Sequence, residues 1–151
     1  MTVTSVTSGQ LLSSATISAG NIVYLLSGGS SEIITVATGG VEVVNAGGSA
    51  ATTKLSGEQV VFGSADHTAI SSGGVQLVRA GGITSQSTIL GGGIQTISAH
   101  GLAEATAIAD GGVQSVTSGG RADKTVVRNG GTQIVAADGE VEGARLLKGG
   151  V

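Results

Sequence analysis

Residues 73–93 read Gly73-Gly74-Val75-Gln76-Leu77-Val78-Arg79-Ala80-Gly81-Gly82-Ile83-Thr84-Ser85-Gln86-Ser87-Thr88-Ile89-Leu90-Gly91-Gly92-Gly93. Two short runs rich in β-branched residues, separated by paired glycines, predict two strands and two corners. Glycine suits a corner because it takes positive φ without a Cβ clash. Paired glycines return at Gly111-Gly112, Gly130-Gly131 and Gly149-Gly150. At the other corner they return as Gly119-Gly120, with His100-Gly101 and Asp138-Gly139 as variants. Helix is excluded, because two glycine pairs per turn interrupt any run of about 12 residues.

Outward from this stretch, the same positions come round every 19 residues. One column holds Ile17, Val36, Leu55, Ile70, Ile89, Ile108, Val127 and Leu146, with steps of 19 except for 15 between Leu55 and Ile70. A second holds Val6, Leu25, Val44, Val61, Val78, Ile97, Val116 and Val135. Every member of both columns is apolar. Units this short cannot bury a face alone, so they must stack on copies of themselves. The expectation is an all-β fold, a single β-solenoid domain over residues 1–151. It would have about eight rungs and a length of about 38 Å at about 4.8 Å per rung. One rung is short near residues 56–63, losing two residues near Ser56-Gly57 and two near Phe62-Gly63. Phe62 stands at that irregularity, to plug a gap or to mark a bend.

Period two assigns faces. Ser87, Thr106 and Thr125 sit two residues before Ile89, Ile108 and Val127, which puts small hydroxyls beside aliphatic side chains in the interior. Leu77, Thr96, Ser115 and Ile134 vary freely, as an outward position does. Gln59, Gln76, Gln95, Gln114 and Gln133 form a further column, preceded by Thr4, Val23 and Glu42. Stacked amides can bond along the axis as a ladder. Their direction stays open: Gln76 shares a face with Val78, yet the Val75 column is also mostly apolar.

Composition sets the remaining bounds. The chain has 151 residues, 28 glycines, no proline and no cysteine. Its only aromatics are Tyr24 and Phe62, so no ring-filled core is available. Without cysteine there is neither a disulfide nor a thiolate metal site. A net charge of −3 is too weak to imply nucleic acid as partner. Arg121, Lys124, Arg128, Arg145 and Lys148 cluster, but acids are interleaved and aromatics are missing. No apolar run is long enough for membrane insertion. No Walker loop or dinucleotide fingerprint occurs, so no cofactor is implied. Met1-Thr2-Val3-Thr4-Ser5 does not read as a secretory signal. That leaves a cytoplasmic chain, export by another signal, or a removed one.

The pattern Gly-Gly-Val-Gln-x-Val-x-x-Gly-Gly-x-Ala-x-x-Thr-x-Ile-x-x-Gly-Gly, clearest from Gly111 to Val127, resembles the strand-loop-strand repeats of AIDA-type autotransporter adhesin passengers. The resemblance is strong from Gly73 to Gly150 and weaker before. It implies a single-stranded right-handed parallel β-helix on the bacterial surface or outside the cell, mediating adhesion and aggregation. Some members of that family carry heptose on Ser and Thr. The chain departs from the family pattern in showing neither a secretion signal nor a C-terminal membrane barrel.

Candidate chemistry is sparse. Glu32, Asp66, Glu104, Asp123 and Glu142 share a column, interrupted by Ala51 and Ser85. Stacked Glu104, Asp123 and Glu142 form a weak candidate metal site for Ca²⁺, set against a solvated loop partly neutralised by Lys124 and Arg145. Acids on adjacent rungs could also serve a polysaccharide-active β-helix enzyme, but long loops and aromatic sugar platforms are missing. His67 and His100 read as surface corner residues without a second ligand. The leading expectation is therefore non-enzymatic self-association. Neither end shows a recognisable cap, and Gly149-Gly150-Val151 begins a turn in the register of Met1-Thr2-Val3. Ends formed by Val3, Val6 and Ile17 on one side and Val135, Leu146 and Val151 on the other would stack head to tail into a filament. The alternative is a piece of a surface adhesin passenger that contacts other cell-surface molecules through its sides.

Overall fold

The computed structural model describes all residues, Met1–Val151, as a parallel β-solenoid of about eight turns. One face is an eight-stranded sheet of Val3–Val6, Ile22–Leu25, Val41–Val44, Glu58–Val61, Val75–Val78, Ile94–Ile97, Val113–Val116 and Thr132–Val135. Each strand pairs in parallel with its equivalent one turn away: Gln76 lies beside Gln95, and Val78 beside Ile97. Repetition makes that register self-consistent, since a slip by one residue would turn every aliphatic side chain outward.

The rest of each turn differs from the two-strand expectation. It is two short strands, such as Leu102–Glu104 and Ala107–Ile108, joined by a kink, except that Ser30–Val36 and Ser49–Leu55 run through the kink as one strand each. The kink is a residue with positive φ in every turn: Ser14, Ile33, Thr52, His67, Gln86, Ala105 and Lys124, with φ from 52° to 56°, then Gly143. It resets the alternation, so that Ala103, Thr106 and Ile108 all point inward while Glu104 and Ala105 are exposed. A left-handed non-glycine residue costs about 1–2 kcal/mol. Pairing with the turn above holds the conformation in place, as when Ala105 N–H donates to Asp123 O (2.8 Å) and Lys124 N–H to Glu142 O (2.7 Å).

Both aliphatic columns are buried through the body of the stack, and so is the glutamine column, which settles its direction inward. The Val75 column therefore lies on the outer face, half-buried by its neighbours. The interior amides separate a pair of apolar stacks. One runs through Ile70, Ile89, Ile108 and Val127, and the other through Val78, Ile97 and Val116 with Ala103 and Ala122.

The two glycines of a corner have different reasons. At the first, φ is positive, as at Gly119 (71°); His100 (62°) and Asp138 (60°) adopt it too. At the second there is no room: a Cβ on Gly120 would lie 2.5 Å from Ile97 O. The short rung removes residues from corners only. Glu58–Val61 keeps full register with Val41–Val44 below and Val75–Val78 above. Phe62 stays out of the core, lining a surface depression with Ala46, Ala80 and Ile83 where the corner is short.

Candidate functional site

The interior polar groups form one directed chain. Gln133 Nε2 donates to Gln114 Oε1, Gln114 to Gln95, Gln95 to Gln76, and Gln76 to Gln59, each at 2.7 Å. Gln59 Nε2 then donates to Glu42 Oε2 at 2.7 Å. The inward hydroxyls support the ladder, with Ser87, Thr106 and Thr125 donating to Gln76, Gln95 and Gln114 Oε1. No buried side-chain nitrogen or oxygen is left without a partner. Glu42 ends the chain because a carboxylate only accepts. It takes Gln59 on one oxygen and the Ser31 hydroxyl on the other (2.7 Å), while Val23 below offers nothing to a donor. Sequence reasoning noted Glu42 only as a predecessor of the column; an acid directly before an unbroken run of glutamines is the signal that marks a terminus.

Burial raises the Glu42 carboxyl above its ordinary value of 4.5, outweighing the bonds from Ser31, Gln59 and Thr53 that lower it. A raised folded pKa means that the fold favours the protonated form. The associated stability is complete below the unfolded value and is lost as pH rises through the folded one. The melting temperature of the wild type should therefore fall, relative to Glu42→Gln, as pH rises above about 4.5. Parallel thermal melts across pH check this, and a difference between the two that does not change with pH would contradict it.

On the outside, Glu104, Asp123 and Glu142 do stack on adjacent rungs. Arg121, rather than Lys124 or Arg145, occupies the space between two of them. Its Nε donates to Asp123 Oδ1 (2.9 Å), and its Nη2 to Asp123 Oδ2 (3.0 Å) and Glu142 Oε2 (2.7 Å). Asp123 beside it raises the already high Arg121 pKa. Arg121, Asp123 and Glu142 thus form an exposed ion-pair network, and no group of three acids and histidines converges as a metal site would need. Exposed pairs of this kind contribute little to stability. Farther down, Ser85 Oγ donates to Asp66 Oδ1 and His67 Nδ1 meets Asp66 Oδ2, both at 2.6 Å. The Ser85 hydrogen bond, with His67 assisting, holds the Asp66 carboxyl below its ordinary value. Here Ser85 faces Asp66 and not His67, so the trio lacks the base-to-hydroxyl contact of an activated nucleophile.

The two ends are not alike. In the first turn Val3 is exposed, but Val6 and Ile17 are only 5% and 3% exposed, with Leu12 and Ala15 packed against them. In the last turn Val135, Leu146 and Val151 are 45%, 59% and 72% exposed. The first turn also carries side-chain hydrogen bonds to its backbone that the last turn lacks. Gln10 Oε1 accepts the Thr7 N–H (2.8 Å) and Asn21 Oδ1 accepts the Thr2 N–H (3.0 Å). Both residues stand where later turns have the second corner glycine, a departure visible in the sequence once that column is written out.

Residues 96–150 match the family model described as "Adhesin of bacterial autotransporter system, probable stalk". The fold matches the crystal structure of a TibC-catalysed hyper-glycosylated TibA55-350 fragment, with TM-score 0.79 and 32% identity over 98% of this chain. Residues 96–150 are similar to AIDA-type adhesin repeats. It spans 62% of the TibA fragment's length. No match was found among curated proteins. The family match falls on the turns holding Gln114 and Gln133, where the 19-residue spacing is regular.

Proposed function

We propose that this chain is a non-enzymatic stalk segment of a surface adhesin passenger, working through its sides. The observation that supports the reading most is the fold match to the TibA fragment over nearly the whole chain. Physically, a stack of equivalent rungs makes a stiff rod whose outer positions vary without cost to the core. Exposed hydroxyls are dense in the lower half, including Ser13, Ser14, Thr35, Ser49 and Thr52, where no Lys or Arg precedes Lys54. These are the acceptors we assign to glycosylation. Co-expression with TibC should add mass in multiples of one sugar, with modified peptides mapping to these residues by mass spectrometry. An unmodified chain would remove the glycosylated form of this reading. Bacteria displaying the chain should adhere or aggregate more than bacteria displaying Ile108→Asp, and equal behaviour would remove the adhesin form.

Self-association is a second reading, favoured by the apolar exposure of Val135, Leu146 and Val151. Sedimentation velocity tests it. Growth in mass with concentration, reversed by Val135→Lys, supports a contact at the last turn, and a monomer at all concentrations ends it.

A further inference from the structure

Above the first turn, the last residue of every four-residue corner is glycine, from Gly29 to Gly150. A Cβ at each would come within 3.0 Å of a carbonyl oxygen in the turn below: Leu25 O at 2.6 Å from Gly48, Ile70 O at 2.5 Å from Gly93, Val127 O at 2.7 Å from Gly150. The lower-rung carbonyl is the nearest obstacle at each; the corner's own carbonyl lies farther off, as Leu26 O does at 3.1 Å from Gly29 and Thr117 O at 3.1 Å from Gly120. In the first turn the same positions carry Gln10 and Asn21, next to Gly9 and Gly20, whose added Cβ atoms would meet nothing within 4 Å. The Gln10 amide also replaces what a lower rung would supply. In the second turn Leu26 N–H donates to Val6 O (2.9 Å). In the first, the equivalent N–H of Thr7 is taken by Gln10 Oε1, which accepts the Thr7 hydroxyl as well (2.9 Å).

We propose that the first turn is closed to any rung stacked beneath it in register, so that copies of this chain do not join head to tail. In-register docking would press Val135 O of another copy against the Gln10 Cβ, and Leu146 O against the Asn21 Cβ. It would also displace the acceptor that satisfies Thr7. Because the closure is a steric property of two residues, it leaves chain ahead of Met1 free to take any path other than a rung of this register. A rung of the repeat is accepted on the last-turn face alone, which makes stacking one-sided.

The chain has no cysteine, so single links can be placed at will. Ser5 and Ile134 are equivalent outer positions of the first and last strands of the eight-stranded sheet, and head-to-tail docking in register would set them side by side. With Ser5→Cys and Ile134→Cys in one chain that ends at Lys148, because Val151 already pairs with Gln133 in the place Val3 of the next copy would take, oxidation at the highest soluble concentration should yield no intermolecular 5–134 disulfide by peptide mapping. Adding Gln10→Gly and Asn21→Gly should make that disulfide and a covalent ladder appear. Adding Gln10→Ala and Asn21→Ala, which removes the amides but keeps each Cβ, should not. A 5–134 disulfide in the chain with native Gln10 and Asn21 overturns the proposal whatever the variants do. So does a ladder in the alanine pair equal to that in the glycine pair, since the Cβ would then not be the obstacle.

Discussion

Ile108→Asp is expected to unfold the central turns. Ile108 is fully buried, between Ile89 one rung below and Val127 one rung above. The aliphatic stack around it holds no partner for a charge, and an uncompensated buried carboxylate costs about 3 kcal/mol or more. In a solenoid each rung rests only on its neighbours, so a lost middle rung removes two interfaces. Leu77→Asp is the control. It lies on the outer side of the eight-stranded sheet, between Val60 and Thr96, where water reaches the new carboxylate. Thermal denaturation followed by circular dichroism should show a large loss for the first and a small one for the second. Equal losses would mean that the faces are assigned wrongly.

Gln95→Leu carries the second large effect. The Gln95 amide donates to Gln76 Oε1 (2.7 Å) and Thr84 Oγ1 (3.2 Å), and accepts from Thr106 Oγ1 (3.3 Å) and Gln114 Nε2 (2.7 Å). Leucine fits the volume but strands several of these groups in a dry interior, at about 1–3 kcal/mol for each left unpaired. The expected loss is at least about 3 kcal/mol, because a broken polar network is worse than an apolar core. Gln133→Leu, at the half-exposed upper end, removes only the bond to Gln114 and should cost little. Urea titration of both variants checks the difference, and a Gln95→Leu chain as stable as the wild type would show that the ladder does not hold the interior together.

Apolar periodicity carried the architecture because it reports burial directly. The Ile17 and Val6 columns had to face inward, and the strands bearing them had to pair in register. Paired glycines marked the corners for a similar reason, and the missing residues at Ser56-Gly57 and Phe62-Gly63 could be placed in corners because the columns on either side stayed apolar. Little of a functional site was legible. The acidic column stacks as its spacing implies, but its arginine partner sits two residues from Asp123 in the chain and reaches Glu142 across a rung, which spacing alone does not show.

By itself the sequence determined the repeat, the strand and corner positions of the eight-stranded face, and the inward hydroxyls, all of which depend on local residue type and period. Only the tertiary structure decided the kink at Ser14, Ile33, Thr52, His67, Gln86, Ala105 and Lys124. Those side chains share no property, and the left-handed backbone is imposed by the rungs above and below. The direction of the glutamines needed it too, since an inward amide is acceptable only when the next rung's amide lies within hydrogen-bonding distance. So did the meaning of Gln10 and Asn21. Each is an ordinary polar residue on its own, and each closes an end because every later turn has a carbonyl where its Cβ would be.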